Sequence, residues 1–288
     1  MSDTEAHVLQ QLRIPPQPKV VREIGKEIQK PNVHLQTVAG LIAADASMAG
    51  GVLSVVNSPL FRRNHEVHSV KDAVRILGLA RSHSVVRTIA LRNAVAHFPD
   101  MERFGKRSAR VAEACVIAAR ALKRPDLEDD AYLMGLFHLI GVPALRSVFK
   151  EAYADIERRA TMEGWSNVWS DEERQWQTHH ARMGALIVQH WHVSPAVVQA
   201  TDRQHDWAEL NVLQSTEPDA AALLVILKLA LRATQVTVQE ITYDEWDDMT
   251  PAILYYLWNV LGLENLDALE ALTDQIAVEA AAVDISGA

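Results

Sequence analysis

The sequence predicts an all-α fold of two packed helical lobes. Apolar residues recur at the three-and-four spacing of helices almost throughout, and the period-2 alternation of strands is rare. Proline- and glycine-bearing turns cut the pattern into helix-length pieces. With 288 residues, 49% of them apolar, the chain is long enough to bury a substantial core. Charged residues make up 23% of it and no low-complexity tract interrupts it, which excludes a mostly disordered protein.

Taken in order, Ile14-Pro15-Pro16-Gln17-Pro18 reads as a stiff lead-in. Val20, Val21, Ile24 and Ile28 then mark one helical face that ends near Pro31. A second helix runs through Val38, Leu41 and Ile42, a third covers 46–56, and Asn57-Ser58-Pro59 breaks the pattern. Ser69 is placed to cap a helix through Val74, Ile76 and Leu77, with Asp72 at its third position. Gly78 ends that helix before another from about 81 to 97. Phe98-Pro99-Asp100 is the expected boundary, giving an N-terminal lobe at 1–99, a second lobe at 100–261 and a helical tail at 262–288. Helices are expected in the second lobe at 104–122, 127–138, 143–162, 170–190, 195–204, 220–234 and 251–261. The tail carries Leu266, Leu269, Leu272 and Ile276 on one face.

The net charge of −9 is unevenly spread: residues 1–100 hold 12 Lys and Arg against 8 Asp and Glu, and the remainder holds 16 against 29. The basic excess gathers at Arg62, Arg63, Lys71, Arg75, Arg81, Arg87 and Arg92, with His65, His68 and His83 among them. Such a cluster can attract an anionic partner, although aromatic residues for stacking on bases are nearly absent there. The N-terminus lacks the apolar stretch of a signal peptide and no apolar run is long enough to span a bilayer, so a cytoplasmic protein without membrane insertion is expected. Cys115, the single cysteine, lies among small apolar neighbours and reads as core. The seven tryptophans all fall after residue 160, mostly at expected helix ends, where the indole ring staples junctions or serves a partner surface.

The chain carries 12 histidines but no His-Glu-x-x-His, no Cys-x-x-Cys, no calcium-binding loop, no Gly-rich phosphate cradle and no Gly-x-Ser-x-Gly elbow. Any polar site must therefore be assembled from separate helices. Three segments end helices with histidines: Gly135 to Gly141 around His138, Trp176 to Gly184 around His179 and His180, and Ala200 to His205. The first resembles the signature helix of the HD superfamily of metal phosphohydrolases, and the other two resemble later histidine helices of the same lobe. Ile14 to Pro18, Val38 to Ala49, Val55 to Phe61, Ser69 to Gly78 and Val193 to Val198 resemble, in order, blocks of the HD-related output domain, HDOD. The similarity spans roughly residues 12 to 235 and implies an HD-type helical bundle in the second lobe.

Against the hydrolase pattern, Arg107 stands where the resemblance implies the first His, Leu139 where it implies the Asp of the His-Asp pair, and Leu231 where it implies a late Asp. Only His138, His180 and His205 remain as possible ligands, and apolar or cationic groups at the other positions disfavour a divalent ion and the activated water it would supply. His138 is expected to be a core histidine bonded to a backbone carbonyl, with Arg107, His138, His180 and His205 forming either a ligand site or the remnant of the metal site. The resemblance implies a bacterial signal-transduction module that works by binding other signalling proteins or a small ligand, with no catalytic residue, no metal and no cofactor. Two alternatives stay open: a residual phosphohydrolase acting on nucleotides, and a nucleotide or nucleic-acid binder using Arg62, Arg63, Lys71 and Arg75.

Overall fold

A computed structural model describes residues 2–58, 66–206, 210–238, 246–263 and 265–286. The described residues are helical, with no strand among them. Contacts divide the chain into two compact units: Pro15–His97 with Val283–Ala288, and Phe98–Ala282 with Met1–Ile14.

In the unit containing Pro15–His97, α2 (Lys19–Ile28), α3 (Leu35–Ala43), α4 (Ala46–Val56) and α5 (Val70–Val95) surround Val21, Ile24, Ile42, Val52, Val86 and Leu91, all buried. Each start has a local cause. Asp45 accepts the free N–H groups of Ser47 and Met48 at the head of α4, and Ser69 accepts that of Asp72 at the head of α5. Gly78, at φ 76 and ψ 173, interrupts α5 with a conformation that only glycine adopts readily, so the two helices expected there join across a kink. Asn57 explains the break after α4. Its side-chain amide donates to the Val67 carbonyl at 2.8 Å and its Oδ1 accepts from the Val67 N–H at 2.7 Å, closing the ten-residue excursion as a strand partner would.

The other unit begins with a helix absent from the sequence expectation, α1 (Asp3–Leu12), which starts with a capping box between Ser2 and Glu5. Residues 1–14 belong with this unit, where the sequence reading had placed them in the first lobe. Val8 and Leu12 are buried, and Glu5 accepts from Arg182 Nε at 3.0 Å. There follow α6 (Met101–Ala121), α7 (Glu128–Phe137), α8 (Gly141–Phe149), α9 (Ala154–Glu163), α10 (Trp165–Trp176), α11 (His180–His190), α12 (Pro195–Asp202), α13 (Leu210–Thr216), α14 (Pro218–Val238), α15 (Trp246–Tyr256) and α16 (Leu266–Ser286). Contacts between α6 and α7, α14 and α6, and α11 and α12 make up much of the core. By length and composition Pro125–Glu163 would pass as a membrane span, and so would α3 with α4, bent by 118°; 72% of the Pro125–Glu163 window is buried.

Two expected helices are broken, and both breaks serve the polar site. The stretch 143–162 is interrupted by a 3-10 turn at Lys150–Tyr153, with Lys150 at φ 49. The stretch 170–190 starts earlier, at Trp165 after Gly164, and is interrupted where Gln177 takes φ 56. The helix expected at 251–261 begins at Trp246 instead, and Leu257–Leu261 widen into a π-turn.

Two glycines set the closest approaches. A methyl group on Gly141 would lie 1.9 Å from the His180 carbonyl oxygen, and one on Gly135 would lie 2.5 Å from the Ala112 Cα. Gly141→Ala should cost about 3 kcal/mol or more, because backbone rather than a flexible side chain blocks the added atom. Gly50, exposed within α4 with nothing within 4 Å of the added methyl, is the control. Gly50→Ala should stabilise by up to about 1 kcal/mol through helix propensity. Urea denaturation of the two variants checks the contrast.

Candidate functional site

The three histidine-bearing segments converge on one buried cluster in the Phe98–Ala282 unit. His138 follows α7, His180 opens α11 and His205 lies just beyond α12. Gln204 links two of these segments by donating from Nε2 to the His138 carbonyl at 2.8 Å. His138 is 2% exposed and His180 0%, while His205 is half-buried with its Nδ1 sealed from solvent.

The sequence reading missed the centre of this cluster, Glu172. It is 0% exposed and satisfied from three directions. Tyr153 donates its hydroxyl to Oε1, the His180 main-chain N–H donates to Oε2 at 3.1 Å, and His180 Nδ1 donates to the same oxygen at 2.6 Å. The two helix breaks permit this: the 3-10 turn carries Tyr153, and the Gln177 turn brings His180 back to a residue eight positions earlier. Burial alone would raise Glu172, but its interactions with His180 and with the Tyr153 hydroxyl hold it below the usual carboxylate range. Burial first and the Glu172 charge second push Tyr153 up.

His180 Nε2 lies 2.8 Å from His205 Nε2. Since His205 Nδ1 is buried without a partner, a proton there would be a stranded donor. His205 therefore carries its proton on Nε2 and donates to His180, which donates in turn to Glu172. Burial above all, with the Lys228 charge, depresses His205 well below the ordinary histidine value, in keeping with a neutral ring. Trp165 meets His180 edge-on at 4.9 Å, and Trp169 meets His179 edge-on at 5.2 Å.

His138 donates from Nδ1 to the Gly135 carbonyl at 2.7 Å, leaving Nε2 as a buried acceptor without a partner. Burial pushes its pKa down to about 3 against that hydrogen bond, helped by the positive charges of Arg107 and Lys228. Arg107 itself is exposed on α6, Leu139 is buried and apolar, and Leu231 is partly buried on α14. Lys71 and Arg75 are exposed in the Pro15–His97 unit, with Arg75 paired to Asp72 at 2.8 Å. Arg62 and Arg63 lie outside the described residues.

These groups do not fit the divalent ion of an HD-type centre. Two imidazole nitrogens bound tetrahedrally to one zinc at about 2.0–2.1 Å stand about 3.3 Å apart. The Nε2 atoms of His180 and His205 are at 2.8 Å, a hydrogen-bond distance, and the other nitrogen of His180 is committed to Glu172. No metal-holding group of three or more His, Cys, Asp or Glu occurs among the described residues.

The neutral state of His138 has a signed consequence. The unfolded chain takes up this proton near pH 6.5 and the folded chain only near 3, so the unfolded state binds more protons between those values. Stability should be level above about 6.5 and fall on acidification by about 1.4 kcal/mol per pH unit for this ring. His138→Asn keeps a donor for the Gly135 carbonyl and removes the titration. Urea unfolding from pH 6 to 4 should show a slope shallower by one proton.

Comparison with known proteins places the chain in a family. Residues 14–207 match the model of the HDOD domain. An HDOD domain protein of unknown function from Geobacter sulfurreducens superposes with a TM-score of 0.72 at 20% identity, covering 98% of this chain and 96% of that one. A Shewanella amazonensis SB2B protein whose name proposes a phosphohydrolase gives 0.65 at 23% identity, covering 94% and 93%. A Marinobacter aquaeolei VT8 protein whose name proposes signal transduction gives 0.65 at 22%, covering 96% and 61%. An uncharacterized protein of Treponema pallidum (strain Nichols) is 24% identical over 199 residues, which are 67% of this chain but only 38% of that protein. With the fold, the ordered motifs and a family match over most of its length, the chain belongs to the HDOD family.

Proposed function

We propose that this HDOD domain is a non-catalytic signalling module that acts by binding other proteins. The observation that carries this reading is the commitment of His180: one ring nitrogen is bonded to Glu172 and the other lies 2.8 Å from His205. A metal phosphohydrolase needs those lone pairs for an ion that lowers the pKa of a bound water. Arg107, Leu139 and Leu231 supply no replacement ligand, and the charges of Arg107 and Lys228 beside His138 oppose a second cation. Without a bound nucleophile, the effect of the domain lies in what it contacts. The signal-transduction name of the Marinobacter relative agrees with this reading, and the phosphohydrolase name of the Shewanella relative marks its rival.

Protein purified without chelator should contain no stoichiometric transition metal and should not hydrolyse nucleotide phosphoesters in added manganese above the rate of the buffer. A tightly bound metal that His138→Ala removes would overturn the reading. The basic cluster gives a separate expectation. If Lys71 and Arg75 with Arg62 and Arg63 served nucleic acid, affinity would fall steeply with salt and fall again on reversing the Arg62 and Arg63 charges. The non-catalytic protein-binding reading expects no such salt-sensitive complex.

A further inference from the structure

The arrangement around Glu172 has the form of a receptor. Three donors from two segments converge on the two oxygens of one planar carboxylate: the Tyr153 hydroxyl on Oε1, and the His180 ring N–H and main-chain N–H on Oε2. All three residues are 0% exposed. Polar capacity remains beside them that Glu172 does not use. Thr178, two residues before His180 and also 0% exposed, buries a hydroxyl without a hydrogen-bond partner, and His138 Nε2 is likewise buried and unpartnered.

Glu172 reaches its donors from a different helix than the one His180 opens. Helix α10 packs chiefly on α9 and only lightly on α11. It is bracketed by residues of positive φ, Gly164 at 84° and Gln177 at 56°. Trp165, Trp169, Glu172 and Trp176 recur on one face of it, and the three tryptophans are only half-buried. Glu172 lies on a helix also fastened by rings, Trp165 against His180, Trp169 against His179 and Trp176 stacked on Phe149 at 4.6 Å, and by the Arg159–Asp171 ion pair at 2.6 Å.

We propose that the Tyr153 hydroxyl, the His180 ring N–H and the His180 main-chain N–H form a binding site for a small carboxylate, and that Glu172 is its tethered occupant. A carboxylate from outside the chain, whether a free acid or an acidic side chain, competes for the same three donors when α10 withdraws. The planar, two-oxygen geometry selects carboxylate over the tetrahedral phosphate group. This inference does not depend on the absence of catalysis, because none of the three donors is a position at which the hydrolase pattern is broken.

Chemical rescue tests it on the full chain. Glu172→Ala removes Cγ, Cδ and both oxygens, the same heavy atoms that acetate would restore. The variant should melt about 10 °C below the wild type, as expected for buried donors left without their anion. Acetate should recover most of the loss with saturation, formate less, and chloride or phosphate at matched ionic strength nothing. Adding Tyr153→Phe should weaken acetate binding by about tenfold, the usual effect of losing one hydrogen bond to a charged group. Glu172→Gln, which fills the space with a neutral isostere, should not respond to acetate.

The proposal falls if acetate and chloride act equally, if Tyr153→Phe leaves the acetate response unchanged, or if Glu172→Gln responds as Glu172→Ala does. Should Glu172→Ala fail to fold alone, it is refolded in each anion. Recovery confined to the carboxylates supports the site, and failure in all of them overturns it.

Discussion

A carboxylate sealed from water governs the layout of the Phe98–Ala282 unit. An ion in that position costs several kcal/mol unless its oxygens are satisfied, so wherever Glu172 is buried the chain must deliver donors to it. Tyr153 and His180 are those donors. Delivering them requires a short turn after α8 and a reversal before α11, at two places where apolar periodicity alone would continue a helix. The reversal brings the His180 carbonyl against Gly141, where only a residue without a side chain fits. One buried charge thus accounts for a 3-10 turn, a left-handed Gln177 and a glycine contact.

The same charge changes what the histidines are for. In a metal centre, imidazoles converge on an ion and must stay far enough apart to share it. Here His180 and His205 approach to the distance of a hydrogen bond and pass their polarity in one direction, from His205 through His180 to Glu172. The cluster joins its histidines into a hydrogen-bonded network within the protein. His138 stands to one side, fixed by the Gly135 carbonyl and by Gln204, with a lone pair still unspent.

How much was legible in the sequence follows from where each signal resides. Ser69 and Asp72 announced the head of α5, and Gly78 its kink, because caps and glycines act within a few residues. The ordered motifs located His138, His180 and His205. The Asn57 motif was visible as a pattern, whereas its purpose, a clasp on Val67, was not. Glu172 escaped because nothing near it distinguishes a buried glutamate from a solvated one; it lies in Ser170-Asp171-Glu172-Glu173-Arg174, a run that reads as an exposed helix face. Its partners are 19 residues before it and eight after it, beyond the reach of periodicity. Helix α1 was missed for a related reason, since its short apolar stripe of Val8 and Leu12 gains meaning only from residues far along the chain.

That last feature bears on the order in which the protein can be made. Arg182 holds Glu5 with one guanidinium nitrogen and Asp202 with another, so α1 is fastened to a residue 177 positions later. Local pieces such as the Pro15–His97 unit can settle as soon as they emerge, whereas contacts of long sequence separation form late and slowly. Val8 and Leu12 must therefore wait uncovered at least until α8, on which α1 packs, has been made. A chain that stalls before α8 presents that apolar stripe without its seat.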